Sequence, residues 1–495
     1  MNTIHTDILI CGAGAAGLTL AIDLARRHVG FVLIDKAEQP FNGSRGKGIQ
    51  PRSLEIFEML GLADRMVAAG GHYPPQRKYR ADGGYDEQQA IEAAPPSPAE
   101  PYGQPLMLPQ HLTEAILRER LAELGHAPRY AHALDGFEQD ADGVSARVAG
   151  PDGGFTVRAR YLVGADGGRS FVRKALAIGF PGEAMKMRAV VADLTLTGLS
   201  RNAWHRWGDG PQQISLCPLM GTALFQLQMP IALEGEFDAS DAGLAAVIAA
   251  RTGRDDIAVQ AVHWRSVYEM SSRLADRYRV GRVFVAGDAA HIHPPTGGQG
   301  LNTSVQDAWN LGWKLAAVLA GAPDALLDTY EAERRAIAAG MLGLSGKLLD
   351  AMRERGDVRR GREAQQLDLG YRSSPLSLDE RGDNATLRAG DRAPDAPCTG
   401  AGGQALRLFT LLNSGVWIML RYEAGSTPAL PARHGLRIID IGADAELRDH
   451  GGHLRYAYGF QPGDIALIRP DGYLGALTHN EHSPALAAYL DQTTS

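Results

Sequence analysis

One stretch in the middle of the chain combines a buried strand, a carboxylate and a glycine-rich loop. Residues 283–286 are β-branched or apolar, as a buried parallel strand requires, and Gly287 and Asp288 follow directly. Gly287 lets the backbone approach a ligand, and the Asp288 carboxylate can accept a hydrogen bond from a ribose or ribityl hydroxyl. A Pro- and Gly-rich loop then precedes a helix predicted over residues 301–320, whose free N–H groups face the loop. This arrangement predicts a nucleotide-cofactor site.

The N-terminal region carries a second pattern with the same meaning. Residues 6–11 form a short apolar strand, residues 12–17 read GAGAAG, and an amphipathic helix follows. The first glycine makes the turn, the second allows approach to a pyrophosphate, and the third packs helix against strand. The next strand, residues 31–34, ends at Asp35, close to the ~20-residue offset expected for the acid that binds an adenosine ribose. The region predicts dinucleotide binding.

A third strand, residues 161–165, ends in Asp166 and Gly167. An Asp-Gly pair is common in turns, so it gains functional weight only beside the other two motifs.

Together these motifs resemble the single-component (group A) FAD-dependent aromatic hydroxylases, the phenol and para-hydroxybenzoate hydroxylase family. The resemblance rests on residues 12–17, on Asp166-Gly167, and on Gly287-Asp288 with its continuation through residues 294–300. It covers about residues 5–350, and the tail is similar to the C-terminal domain of larger members. Residues 44–61 and the tail look closest to the branch that hydroxylates polyketide aromatics and rifamycins.

The resemblance implies an α/β chain of three parts. A Rossmann-like FAD-binding domain would comprise residues 1–181 and 272–385. An antiparallel-sheet substrate domain would be inserted at residues 182–271, where the alternating pattern predicts strands, and a thioredoxin-like domain would occupy residues 386–495.

The resemblance also implies roles for individual residues. Arg45 and Pro295 would take part in catalysis. Many relatives carry Glu where this chain has Asp35, which keeps the charge. The residues expected to bind the cofactor are Gly12, Gly14, Ala15, Ala16, Gly17, Asp35, Lys36, Arg45, Gln110, Leu134, Asp166, Asp288, Pro295, Gly298, Gly300, Leu301 and Asn302.

Substrate contacts are expected from a smaller set. Gln226 and Gln228 share one face of an alternating strand, but the sequence does not decide which way that face points. The candidates are Trp204, Arg206, Gln226, Gln228 and Pro294.

The implied activity is hydroxylation of a phenolic or polycyclic natural product. FAD would be held tightly, NADPH or NADH would bind transiently because only one dinucleotide fingerprint is present, and O2 would add at flavin C4a to give the hydroxylating hydroperoxide. Two alternatives stay open. A flavin halogenase needs a Trp-x-Trp-x-Ile-Pro signature, and Trp204 and Trp207 have the wrong spacing. A catalytically silent flavin- or ligand-binding protein would bind without turnover.

Composition argues against several other classes of protein. The 495 residues carry 50 basic and 57 acidic side chains, a formal charge of −7, and no basic tract that favours nucleic acid. No apolar run approaches the ~20 residues that span a bilayer, and the chain enters a strand within a few residues, so we expect a cytoplasmic protein. A homodimer is left open. The cysteines Cys11, Cys217 and Cys398 are too far apart for dithiol chemistry, and no metal site is expected.

Overall fold

The computed structural model describes residues 2–89, 91–92, 94–294, 296–355, 361–382, 385–425, 433–480 and 483–493. The strands are β1 (Thr3–Cys11), β2 (Phe31–Ile34), β3 (Gly48–Ile49), β4 (Gln76–Tyr79), β5 (Tyr85–Gln88), β6 (Leu106–Met107), β7 (Ala133–Gln139), β8 (Val144–Ala149), β9 (Phe155–Gly164), β10 (Gly182–Thr197), β11 (Trp204–Trp207), β12 (Ile214–Pro218), β13 (Phe225–Ile231), β14 (Ala258–Leu274), β15 (Arg279–Val280), β16 (Val283–Val285), β17 (His291–Ile292), β18 (Leu378–Asp379), β19 (Pro397–Gly400), β20 (Ala405–Arg407), β21 (Trp417–Tyr422), β22 (Leu436–Ile441), β23 (Leu447–Arg448), β24 (Ile465–Ile468) and β25 (Leu474–Thr478).

The helices alternate with these strands. They are α1 (Ala15–Arg26), α2 (Pro51–Met59), α3 (Ala63–Ala69), α4 (Gln110–Glu123), α5 (Phe171–Ala175), α6 (Asp241–Thr252), α7 (Gly300–Leu319), α8 (Asp328–Arg355), α9 (Leu408–Leu412), α10 (His453–Tyr458) and α11 (Pro484–Thr493).

A mixed sheet with four parallel strands brings the three motifs together. Its order is β15-β16-β9-β1-β2, with β7 and β8 continuing as antiparallel hairpins beside β9. Strands β2, β1, β9 and β16 are parallel and end in register, because Cys11 pairs with both Ile34 and Gly164, and Gly164 pairs with Val285. Their carboxyl ends therefore meet at one edge, which is where open parallel sheets bind ligands.

A second sheet, the middle sheet, has the order β17-β14-β10-β13-β12-β11-β4-β5. Its outer face packs on α6 through an apolar cluster that includes Leu227, Leu244 and Ile248. Its inner face contacts residues 41–47 of the first sheet's domain. The expected insertion, residues 182–271, contains antiparallel strands as predicted, together with α6, but β4, β5 and β17 also join the sheet from outside it. The sequence pattern does not indicate these three strands because they are short, and because β4 and β5 are polar.

The C-terminal sheet has the order β18-β25-β24-β21-β22-β23-β19-β20. Its four central strands, β25, β24, β21 and β22, are almost entirely buried or apolar. Arg469, just after β24, reaches into the first domain and forms a fully buried ion pair with Glu333 of α8 at 2.7 and 2.9 Å. The C-terminal sheet is therefore joined to the helices behind the motif edge.

Candidate functional site

The GAGAAG loop connects β1 to α1, and each of its three glycines meets a different constraint. Gly12 has φ +110°, and a Cβ there would lie 2.2 Å from the Ala165 carbonyl oxygen. A Cβ on Gly17 would lie 1.9 Å from the Gly12 carbonyl oxygen, so only glycine lets helix and strand approach. Gly14 is different, because its Cβ would meet only a Glu114 oxygen at 3.8 Å. Protein packing explains the first and third glycines, and open space lies above the second.

Two carboxylates flank this loop. Asp35, at the end of β2, accepts hydrogen bonds from the backbone N–H groups of Ala13 at 2.7 Å and Ala37 at 2.8 Å. Glu114, on α4, is buried beside the Ala15 N–H group and accepts a hydrogen bond from Gln110 at 2.8 Å. Burial raises the pKa of Glu114 to about 6. Asp35 lies where the motif predicts it, whereas sequence reasoning missed Glu114; its spacing of four residues from Gln110 was the available signal.

Asp166 lies at the same edge but is occupied by its own helix. Its carboxylate accepts from the Ser170 hydroxyl at 2.5 Å and from the backbone N–H groups of Phe171 and Val172 at 2.7 and 3.1 Å. These bonds cap α5. The cap explains an acid at this position without any ligand.

The segment between β16 and α7 is braced from behind by α7 and α8. Asp307 of α7 accepts from the Gly287 N–H group at 3.1 Å, from His291 at 2.7 Å and from Arg334 at 2.8 Å. His291 in turn contacts His293 through ring nitrogens 3.0 Å apart. Burial alone would raise the pKa of Asp307, but His291 and Arg334 lower it. Asp307 therefore acts as an anionic anchor for this loop, a role that local sequence patterns did not reveal.

Asn302, in the first turn of α7, ties the loop to the segment that contains Arg45. Its side chain is buried, accepts from the Gln50 N–H group at 2.8 Å, and donates to the carbonyl oxygens of Gly48 and Gly298 at 2.9 and 2.7 Å. Gly298 has φ +67°, a conformation that favours glycine. The Asn302 amide is thus committed to backbone partners, so a cofactor contact there would use backbone atoms.

Arg45 and Asp288 face each other across the cleft in front of this loop. Both side chains are exposed to solvent. Asp288 is nevertheless surrounded closely enough that burial raises its pKa, with His291 and Arg45 opposing the shift. Burial similarly raises the pKa of Tyr268 on β14 to about 12, again opposed by Arg45. Asp288 is thus accessible although many protein atoms surround it, and the charge of Arg45 acts on both Asp288 and Tyr268; these three residues define what we call the recess.

Gln110 and Leu301 lie at the other side of Arg45. A Cβ on Gly46, the next residue, would lie 3.5 Å from both the Gln110 oxygen and a Leu301 methyl group, so the starts of α4 and α7 converge there. Gln110 also accepts from the Gly46 N–H group at 3.1 Å.

The inner face of the middle sheet carries the expected substrate residues. Gln226 is fully buried there and accepts from the Lys47 ammonium at 2.6 Å, and that ammonium lies 4.2 Å from the Trp204 ring centroid. Gln228 lies two residues farther along β13, and Arg206 donates to Gln76 at 3.0 Å. The structure decides the open question of direction, because Gln226 faces the segment that contains Arg45.

The remaining predicted residues are more dispersed. Lys36 is exposed just beyond β2, whereas Leu134 of β7 is buried and its backbone lies beside Cys11. Pro294 is buried, and Pro295 lies outside the described residues. Burial raises the pKa of the Cys11 thiol, which fits an inert core residue. Among the described residues, no group of three His, Cys, Asp or Glu side chains is placed to hold a metal ion.

The residues at this edge fit a dinucleotide that carries a flavin. The space above Gly14, the first-turn N–H groups of α1 and the Asp35 carboxylate suit an adenosine diphosphate. Around the 287–302 loop, the buried atoms Gln50 Oε1 and His293 Nδ1 have no hydrogen-bond partner in the described part of the chain. Buried polar atoms are rarely left unpaired, so a ligand or water is expected to meet them.

Comparison with known proteins gives the same result. The family model described as "FAD binding domain" matches residues 5–345. The chain belongs to this FAD-binding family. A flavin-dependent monooxygenase of Mycobacteroides abscessus is 39% identical over 96% of this chain and 97% of its own length. A 12-dehydrotetracycline 5-monooxygenase/anhydrotetracycline 6-monooxygenase of Streptomyces rimosus is 40% identical over 68% of each chain.

Solved structures agree across the full length. Aklavinone-11 hydroxylase, determined with FAD and aklavinone, matches with a TM-score of 0.82 and 27% identity over 100% of both chains. Anhydrotetracycline hydroxylase from Streptomyces rimosus matches with a TM-score of 0.76 and 31% identity over 99% of both. The resemblance drawn from the three motifs is confirmed: this flavoprotein is an NAD(P)H-dependent FAD monooxygenase with a mixed α/β fold. Within the described residues, no helix is long and apolar enough to span a membrane.

Proposed function

We propose that this monooxygenase hydroxylates a phenolic or polycyclic aromatic natural product in the recess between the motif edge and the inner face of the middle sheet. The observation that carries the proposal is the position of Arg45, which is exposed in that recess beside Asp288 and Tyr268. The recess combines a cation, an acid and aromatic surface, which suits a planar substrate that bears hydroxyl groups.

We assign cofactor contacts by position. Gly14 and the first turn of α1 would receive the pyrophosphate of FAD, Asp35 would accept from the adenosine ribose, and Asp288 would accept from the flavin side. Leu134 and Lys36 lie on the adenosine side of this arrangement. Gln110, Gly298, Gly300 and Leu301 would border the ring. FAD bound there supplies hydride acceptance from NAD(P)H and the activation of O2 for transfer of a hydroxyl group to an aromatic carbon.

The substrate would contact the inner face of the middle sheet. Half-buried Gln228 offers polar atoms on that face, while Trp204 and Arg206 on the same side are buried, and we assign them to the wall of the pocket behind it. The relatives named for anhydrotetracycline, aklavinone and rifampicin support a multi-ring substrate. The inner face spans several strands, which also favours a substrate larger than one ring.

Two finer features of the architecture belong to this proposal. The parallel order β16-β9-β1-β2 with helix α1 after a glycine loop supports a Rossmann-like cofactor domain. The C-terminal sheet, with parallel β21-β22 and antiparallel β24-β25, supports a thioredoxin-like domain. Cys398 is buried there and burial raises its thiol pKa to about 12, so a structural role is favoured. Domain boundaries, a homodimer and cytoplasmic location stay predictions.

The test uses the FAD-loaded protein with rifampicin, anhydrotetracycline and phenol as probes. We expect NADPH or NADH oxidation to rise with a multi-ring probe, and mass spectrometry to find isotope-labelled oxygen from O2 in the product. Stimulation by phenol alone would contradict the multi-ring class. Flavin reduction without any oxygenated product across a wider panel of aromatic natural products would contradict hydroxylation of this class.

A further inference from the structure

The segment that carries Arg45 lies flat against the inner face of the middle sheet. The Phe41 ring meets the Trp264 indole edge-on, with centroids 5.4 Å apart. A Cβ on Gly43 would lie 2.2 Å from the same indole. No side chain would fit between this backbone and β14, so the position of the segment is defined by the sheet.

Ser44 is held still more closely, through polar contacts. Its backbone N–H group donates to the Asp193 carboxylate at 2.8 Å, and its hydroxyl donates to the other oxygen of the same carboxylate. The Gln226 amide donates to the carbonyl oxygen of Ser44 and to its hydroxyl oxygen, the latter at 2.7 Å. Asp193, Gln226 and Ser44 are all fully buried. Asp193 and Gln226 are paired neighbours on β10 and β13, so two adjacent strands grip one residue.

Arg45 follows Ser44 directly and behaves differently. Its side chain is exposed, its guanidinium lies 5.7 Å from the Phe41 ring centroid, and it makes no hydrogen bond to any part of the chain that the structure describes. The residue before it is fixed, while its own charge is directed into the recess. A fixed backbone with a free charged group is the arrangement needed to present that charge to a ligand at a set position.

We propose that Asp193 is a positioning residue that holds Arg45 in the register required for flavin reduction by NAD(P)H. This inference rests on the proposed function of Arg45 in the same recess. Asp193 hydrogen-bonds to Ser44, the residue before Arg45, and would act on Arg45 through it.

The chemistry of the carboxylate makes it specific for this purpose. Burial raises the pKa of Asp193, while the two Ser44 donors lower it, so the contacts with Ser44 help to keep the acid ionised. An ionised carboxylate accepts both Ser44 donors at once. An asparagine presents one acceptor and one NH2 group, so the Ser44 hydroxyl could no longer donate to residue 193 and would have to turn and accept from the NH2 group, which loosens the hold of β10 on this segment. The Arg45 guanidinium would move with it.

The experiment is a double-mutant cycle on the FAD-loaded enzyme. The variants are Asp193→Asn, Arg45→Ala and their combination, and the readout is the anaerobic stopped-flow rate of flavin reduction by NADPH and by NADH, without substrate. We expect each single variant to slow reduction by about fivefold or more, the lower end of typical coupling between sites. We expect the double variant to be no slower than Arg45→Ala alone, because Asp193 acts through Arg45.

Two further variants keep the result interpretable. Ser44→Ala removes one donor to Asp193 and leaves the backbone N–H group. It should slow flavin reduction less than Asp193→Asn does, and this effect should also disappear when Arg45 is alanine. The variant therefore tests the proposal even if Asp193→Asn folds poorly. Ser215→Ala removes a buried hydroxyl from the same sheet that donates to the Gln228 carbonyl at 3.4 Å, its one hydrogen bond within the described residues, and should leave the rate unchanged.

Additive effects in the cycle would overturn the proposal, as would an unchanged rate in both Asp193→Asn and Ser44→Ala. A wild-type protein that fails to bind FAD, or whose flavin is not reduced by either nucleotide, would instead contradict the proposed function.

Discussion

The recess around Arg45 and the junction between α7, α8 and the C-terminal sheet are both rich in charge, yet they are built in opposite ways. At the junction, Glu333 accepts from Lys314 at 2.7 Å and from Arg469 at 2.7 and 2.9 Å, and all three side chains are inaccessible to solvent. In the recess, Arg45 and Asp288 are exposed and not in contact as an ion pair among the described residues. The paired charges of the junction are used up in contacts within the protein, whereas the accessible charges of the recess are available to a ligand.

The pKa values express the same contrast. Burial alone would raise the pKa of Glu333, but Arg469 and Lys314 hold it well below its usual range. Burial lowers the pKa of Lys314 to about 8 against the attraction of Glu333. In the recess, the pKa of Asp288 is raised by burial, and His291 and Arg45 only reduce the shift. A bound cofactor with hydroxyl donors would supply what Asp288 lacks.

The largest expected effect is the loss of a charge from the junction. Glu333→Ala would leave Lys314 buried without its carboxylate and would leave Arg469 with its second carboxylate partner, Asp471, so we expect the free energy of unfolding to fall by about 3–5 kcal/mol. Denaturant unfolding monitored by circular dichroism measures it. The control is Arg372→Ala, which removes an exposed ion pair with Asp391 and should cost no more than about 1 kcal/mol. Equal losses in the two variants would break the comparison.

Removing a charge from the recess should weaken FAD binding and leave the stability of the protein nearly unchanged. Asp288→Ala is expected to weaken FAD binding by about 1.5–3 kcal/mol, the range for a hydrogen bond to a charged group. The stability of the apoprotein should change by no more than about 0.5 kcal/mol, because the side chain is exposed. Fluorescence titration of apoprotein with FAD measures the first quantity and denaturant unfolding the second. An apoprotein as unstable as Glu333→Ala would show that Asp288 serves the fold.

Within the six-residue glycine loop, one glycine is expected to serve cofactor binding and another to serve the fold. Gly14→Ala adds a Cβ that meets only Glu114 at 3.8 Å, in a backbone conformation open to any residue, so the apoprotein should fold normally. Its FAD affinity should fall by about 1–3 kcal/mol, the cost of overpacking a close contact. Gly17→Ala, which would collide with the Gly12 carbonyl oxygen, should instead lower the stability of the apoprotein. Unchanged FAD affinity in Gly14→Ala would contradict the proposed position of the FAD pyrophosphate above this loop.

The smallest expected effect concerns pH. Because burial raises the pKa of Glu114 from its usual value to about 6, the folded apoprotein binds more protons than the unfolded chain between pH 4.5 and 6, and its stability falls as pH rises through that window. Ionised Glu114 would also repel a pyrophosphate above Gly14. We therefore expect FAD affinity to fall between about pH 5 and 7, by no more than about tenfold per pH unit for one linked proton. Glu114→Gln should flatten this dependence; an unaltered profile would place the cofactor away from Glu114.

The sequence predicted those parts of the site that depend on local spacing. The strand, glycine loop and helix of the first motif are present, and the helix expected over residues 301–320 spans Gly300–Leu319. The contacts between distant segments were not predictable. Ser44 and Asp193 are 149 positions apart. Neither the periodicity of a strand nor the charge of one residue indicates which distant backbone will lie opposite it.

The junction could not be predicted for the same reason, because its contacts join segments that are distant in sequence. Glu333 and Arg469 lie 136 positions apart, and each looks like a surface charge in its own segment. Asn302 was expected to contact the cofactor, yet its amide bonds to backbone, because the fold brings Gly48 and Gly298 to it. Motif spacing gives the position of a residue, while the surrounding contacts decide whether its side chain is available.

Asp471, in the turn between β24 and β25, links the tail to the helices of the cofactor domain. Its carbonyl oxygen accepts from Trp309 of α7 at 3.0 Å and from Arg52 of α2 at 2.9 Å, and its carboxylate accepts from Trp313 of α7 at 3.0 Å. Opening the tail would strip these buried donors of their partners, so the cofactor domain and the tail should unfold as one cooperative unit. Amide protons in α7 and β24 would then exchange with solvent through the same rare global opening, and the long helix behind the proposed flavin site would owe its protection to residues more than a hundred positions away.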